Sequence, residues 1–136
     1  MSATLDLQKW IFEALQNNNA LSSVLGGAKI YDDIPDNAEL PYLVFGKFIT
    51  EDWSTGTEEG GEHFIELTAW SKGRGRKEVT LIGEACKAAL NGLSAGSSTN
   101  KLVNFHHQIT TTERSKDGKF FLAKMEYRAV TEPTVT

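Results

Sequence analysis

Cysteine is nearly absent from this sequence. Cys86 stands alone, so no disulfide can form within the chain, and nothing ties it to an oxidising compartment. Histidine is scarce too. His106 and His107 are neighbours in a strand-like run, so their side chains project to opposite faces and cannot share a metal, and His63 is remote. No apolar run approaches the ~20 residues of a membrane-spanning helix, which leaves no membrane partner to expect. The first residues, Met1-Ser2-Ala3-Thr4-Leu5-Asp6, lack the basic region and apolar core of a signal peptide, and the expectation is a soluble, intracellular-type protein. A basic excess is missing as well. With 14 Lys and Arg against 18 Asp and Glu the net charge is −4, which argues against a general nucleic-acid binder.

What is present is ordinary globular material. At 136 residues, 40% hydrophobic and 24% charged, the chain suits one domain, 1–136, that buries its core without disulfide or metal. Leu7, Trp10, Ile11, Ala14 and Leu15 follow helical spacing, and Asp6 suits the first turn. Asn17-Asn18-Asn19 interrupts that helix, Ala20–Leu25 adds a short one, and Gly26-Gly27 stops it. Lys29-Ile30-Tyr31 is a short strand candidate. Pro41 precedes a stronger strand, Tyr42 to about Thr50, whose apolar run Tyr42-Leu43-Val44-Phe45 is expected to be covered on both faces. A strand from His63 to Trp70 places Ile65, Leu67 and Ala69 on one side. Phe64, Glu66, Thr68 and Trp70 share the other, a mixed face of the kind that is partly solvated or covered by another subunit.

Val79, Ile82, Cys86 and Ala89 mark a helix from Arg76 to Leu90, inside which Gly83 implies close packing. Leu93–Lys101 is expected to be a flexible connector. Val103, Phe105, His107 and Ile109 are expected to share a face of one strand, and Phe121, Ala123, Met125, Tyr127 and Ala129 a face of the next, with Asp117-Gly118 turning between them. The tail Thr131–Thr136 is expected to be loose. The sum is an α+β domain: a mainly antiparallel sheet of four to five strands with two main helices packed on one face.

Chemistry is thin. Asp32, Asp33 and Asp36 lack the ligand spacing of a calcium loop, and Cys86 lies on an apolar helical stripe with no base nearby in sequence. The glycines of Lys72-Gly73-Arg74-Gly75-Arg76-Lys77 precede a helix but match neither the phosphate-cradling loop nor the dinucleotide fingerprint. No catalytic residue, cofactor or metal site is expected. An alternative is a small α+β hydrolase or isomerase with a pocket between helices and sheet, for which Glu66 is the nearest thing to an acid or base. DNA binding would rest on the basic turn alone.

The distribution of charge says more. The loop from Glu51 to Glu62 holds five carboxylates (Glu51, Asp52, Glu58, Glu59 and Glu62) and no Lys or Arg, and it carries Trp53. Just past Trp70, the turn carries Lys72, Arg74, Arg76 and Lys77. Unlike patches flanking one strand can close a head-to-tail contact between identical subunits. These eleven residues are the candidate interface or lumen positions.

Several segments also resemble the tail-completion proteins, or tail terminators, of long-tailed phages and phage-like gene transfer agents. They are Ile30-Tyr31-Asp32-Asp33-Ile34-Pro35 with Leu40-Pro41-Tyr42-Leu43-Val44-Phe45-Gly46; Asp52-Trp53-Ser54-Thr55; Leu67-Thr68-Ala69-Trp70-Ser71 with Gly75-Arg76-Lys77-Glu78-Val79; and Tyr127-Arg128-Ala129-Val130-Thr131-Glu132-Pro133. The stretches Gly92–Asn100 and Phe105–Thr112 match less well. The resemblance implies a structural protein of the virion or phage-like particle, made in the bacterial cytoplasm and placed at the tail–head junction. It implies a hexameric ring on the last ring of the major tail-tube protein, which stops tube growth. The ring would then meet a head-completion or stopper protein and leave a channel through which DNA passes without sequence-specific binding.

Overall fold

The computed structural model describes residues 2–54, 56, 59–72 and 75–134. Helix α1 spans Ala3–Gln16 and starts where the Ser2 hydroxyl accepts the Leu5 amide. Its residues Leu7, Ile11 and Leu15 recur every four positions, and all three are buried. Asn18 caps α2 (Asn19–Leu25) in the same way, and Gly26, at φ 75°, ends it in the left-handed conformation that glycine adopts without steric cost.

Five strands follow, with α3 (Lys77–Leu90) between the third and fourth: β1 (Ile30–Tyr31), β2 (Tyr42–Asp52), β3 (Gly61–Ser71), β4 (Asn100–Arg114) and β5 (Phe121–Pro133). They form one sheet in the order β1-β2-β3-β5-β4, antiparallel except for the short β1–β2 pair. This is the α+β arrangement expected from the sequence. The central pair is continuous, from Gly61 opposite Thr131 to Ser71 opposite Phe121.

One face of the sheet meets the helices. Phe45, Ile65, Leu67, Ala69, Ala123, Met125, Tyr127 and Ala129 join Leu7, Ile11, Leu15, Leu21, Val79, Ile82 and Cys86 in a single apolar cluster. Burial pushes the Cys86 thiol up to about 12, so at neutral pH it is a small hydrophobe and not a thiolate. The other face carries no helix among the described residues, and there Trp70, Thr68, Glu66, Phe64 and Glu62 stand opposite Leu122, Lys124, Glu126, Arg128 and Val130.

Four expectations need correction. Tyr42 and Val44 lie on the helix-free face and are only half-buried, so β2 is covered fully on one side, at Leu43 and Phe45. Bulges in β4 between Leu102 and Asn104, and between His107 and Ile109, break its alternation. Phe105 and His107 pack against Tyr127, whereas Val103 and Ile109 are exposed. The connector 93–101 is tied down: Ser97 Oγ and Asn100 Nδ2 both donate to the buried Asp6 carboxylate, at 2.9 and 3.0 Å, and Leu102 N reaches Ala95 O. Those bonds, led by the one from Asn100, hold the Asp6 carboxyl below its usual value. Finally, Thr131–Pro133 belong to β5 and Thr131 is buried, so the tail is ordered through Thr134, whose amide bonds Thr99 O; residues 135–136 lie outside the described part.

Gly83 faces the sheet, and a Cβ there would meet Met125 Sδ and Thr110 Cγ2 at 3.8 Å, an ordinary contact distance. Gly83→Ala is therefore expected to raise stability by about 0.5–1 kcal/mol through helix propensity. Gly83→Leu should lower it by ~1–3 kcal/mol through overpacking. Urea denaturation of the two variants measures both, and a destabilised alanine variant would show that the contact is tighter than its geometry.

Candidate assembly surfaces

The two charged patches sit at opposite ends of β3, whose eleven residues extend over roughly 33 Å at strand rise. At the hairpin end the strands run further than the sequence suggests. Glu51 pairs with Glu62 and Asp52 with Gly61, so the loop proper is 53–60. It is closed by local bonds: Trp53 N donates to Gly60 O at 3.0 Å, and Asp52 Oδ1 accepts from Ser54 N at 3.0 Å and from Ser54 Oγ at 2.5 Å. The Ser54 hydroxyl, and next its amide, hold the Asp52 carboxyl below its usual value. Glu51, Asp52 and Glu59 are exposed, and Glu58 lies outside the described residues.

Glu62 is used differently. Arg128 Nε and Nη2 both donate to its Oε2, each at 2.6 Å, and Trp53 lies over the same guanidinium at 5.0 Å. Trp53 is nonetheless 48% exposed. The triad fastens the hairpin loop to the helix-free face. Sequence reasoning missed Arg128, although its position between the inward residues Tyr127 and Ala129 points it outward.

On the helix side of the same end, His63 is fully buried. Its Nδ1 meets Thr50 Oγ1 at 3.0 Å and its Nε2 meets Thr131 Oγ1 at 2.8 Å, while Thr50 Oγ1 reaches Thr4 Oγ1 at 2.9 Å. Burial keeps the imidazole below its ordinary value.

At the far end, Lys72, Arg76 and Lys77 are exposed, while Gly73 and Arg74 lie outside the described residues. Arg76 and Arg114 both stack on Phe121, at 5.9 and 5.3 Å, and Trp70 meets Phe120 edge-on. The Ser71 hydroxyl donates to the Glu78 carboxylate in the first turn of α3. The β4–β5 turn adds Lys116 and Lys119 to this end, two cations that sequence reasoning did not connect with the basic turn. The signal needed was strand pairing, which sets Arg114 and Ser71 on either side of Phe121.

The enzymatic alternative loses its acid. Glu66 is on the helix-free face opposite Glu126, on the other side of the sheet from any pocket beneath the helices. His106 and His107 do point to opposite faces: His107 packs on Tyr127, and His106 stands outward beside Arg128. Among the described residues no group of three or more His, Cys, Asp or Glu could hold a metal, and no helix is long and apolar enough to cross a membrane.

A domain with oppositely charged ends and, among the described residues, one sheet face uncovered by helices has the features of a subunit built to join others. The family profile described as "Tail completion protein gp17" matches residues 9–132, and the chain belongs to that family. It is a structural protein of phage-type tails. Among solved structures, a chain of the "Virion of native gene transfer agent (GTA) particle" superposes with a TM-score of 0.79, covering 96% of this chain and 98% of that one at 19% identity; at that identity the likeness speaks to the fold. No curated protein matches the sequence.

Two outcomes are expected at the hairpin end. Glu62→Gln should lower stability by about 1–2 kcal/mol and red-shift Trp53 emission, because Arg128 keeps its charge in a half-buried place without its counter-charge; unchanged denaturation would mean that the triad carries no stability. The second concerns pH. An imidazole depressed in the fold binds fewer protons than it does unfolded, so its contribution is complete above its ordinary value of 6.5 and is lost as pH falls toward the folded value. The stability gap between wild type and His63→Gln should therefore narrow as pH falls from about 7.5 to about 5. A constant gap in urea titrations would refute the assignment.

Proposed function

We propose that this protein caps the tail tube as a ring, stops its growth and joins the tail to the head connector, with a channel left open for DNA. The observation that carries this reading is the separation of charge along β3. Glu51, Asp52 and Glu59 crowd one end, and Lys72, Arg76, Lys77, Lys116 and Lys119 the other. Two unlike surfaces on one chain make a heterologous contact, and such contacts form rings when the rotation closes. Family membership supports the place of that ring at the end of a tail.

In this reading the acidic hairpin end borders the channel. Carboxylates there repel the phosphate backbone, so DNA passes without adhering. The basic end turns toward a neighbouring subunit. The function is mechanical, a matter of fit and charge, with no bond made or broken. Six copies, the tail-tube protein on one side and a stopper protein on the other complete the proposed assembly.

The test is direct. Purified protein added to polymerising cognate tail-tube protein should shorten the tubes and leave a ring of added density at one end, seen by negative-stain microscopy. Tubes of unchanged length with bare ends would sink the reading.

A further inference from the structure

In the middle of the helix-free sheet face, Glu66 and Glu126 stand directly opposite each other on β3 and β5. Like charges in that position destabilise a sheet unless a cation joins them. Among the described residues none does. The nearest cations along β5 are engaged elsewhere: Lys124 pairs with Glu113 at 3.5 Å, and Arg128 is held by Glu62. Lys47 lines the same shallow dent with Ile49, Phe64 and Gln108, yet among the described residues neither carboxylate has an ion-pair partner within 4.0 Å. Half-buried Glu66 lays its carboxylate over Gly46, at the bulge in β2, where a Cβ would come within 2.9 Å of its Oε1. Half-exposed Phe64 and 42%-exposed Ile49 form an apolar rim.

The complementary feature lies on the same chain. The β4–β5 turn is a rigid prong beyond the last paired residues, Arg114 and Phe121. Ser115 N donates to Phe120 O at 2.8 Å and Gly118 N to Ser115 O at 2.9 Å, and Gly118 takes φ 75°. Asp117, itself exposed, is engaged within the turn: its Oδ1 accepts from Ser115 Oγ at 2.6 Å and from Lys119 N at 3.0 Å. Lys116 and Lys119 are left exposed, and among the described residues neither has a carboxylate within 4.0 Å. Two unpaired cations on a stiff turn match two unpaired carboxylates on an open face.

We infer that the Glu66–Glu126 face receives the Lys116/Lys119 prong of a second copy of this chain. The contact rests on the ring reading, and it moves the joint from the charged loop and basic turn to a pre-formed face and a pre-formed prong. Little ordering is lost on docking, and the mismatch carried by the free subunit is relieved only in the assembly.

Zero-length carbodiimide coupling tests this, because it joins a lysine amine to a carboxylate only where the two already touch. Equal amounts of unlabelled and nitrogen-15-labelled full-length protein are mixed, coupled and mapped by mass spectrometry. Mixed-isotope peptides linking Lys116 or Lys119 to Glu66 or Glu126 are expected. Lys116→Glu with Lys119→Glu should lower the yield of coupled oligomer about tenfold, and mixing in a Glu66→Lys, Glu126→Lys partner should restore assembly in native mass measurement. Coupled oligomers joined only through other pairs, such as Lys72 to Glu59, would overturn this contact and leave the ring standing. Coupling of Glu66 to Lys47 within single chains, with none between copies, would overturn it in favour of an internal counter-ion. Absence of any oligomer, in solution and on tube ends, would overturn contact and ring together.

Discussion

The uninterrupted pairing of β3 with β5 is the constraint from which the rest follows. Because its register never slips between Gly61 and Ser71, alternate residues of both strands fall strictly to one side or the other. Ile65, Leu67 and Ala69 then share a surface with Ala123, Met125 and Tyr127, and α3 and α1 close over it. The same register leaves Phe64, Glu66, Arg128 and Glu126 together on the reverse. A slip of one residue would exchange these sets, so the identity of the uncovered face is fixed by the same pairing that builds the core.

The pairing also sets the polarity of the subunit. A strand that begins beside an acidic loop and ends at a basic turn holds unlike charges a full domain length apart, where neither can neutralise the other. Each end is braced by local contacts: Trp53 over Arg128 at one, Arg76 and Arg114 over Phe121 at the other. Such charges are presented on firm supports, which limits the entropy lost when they meet a partner.

Much of this was legible in the residues. Helical spacing of Leu7, Ile11 and Leu15, and alternation from His63 to Trp70, marked elements whose pattern is local and needs no knowledge of the fold. The failures share a cause. The bulges in β4 that turn Val103 and Ile109 outward arise from how that strand meets β5. The ordering of 93–101 depends on Asp6, about ninety residues earlier in the chain. Thr131 is held by His63 and by Gly61. All are long-range facts with no mark in a short window. The charged loop and turn were visible as composition, but not that Glu62 is already spent on Arg128, nor that Lys116 and Lys119 reinforce the basic end.

β4 is the outermost strand along its whole length, and both of its bulges fall within it. Each bulge puts two residues where one would stand and so breaks the even row of amides and carbonyls that an incoming strand would need. Along this border the sheet is therefore a poor template for another copy's strand. A member of a tail-completion family thus carries, in its own border strand, a guard against pairing edge to edge with its copies.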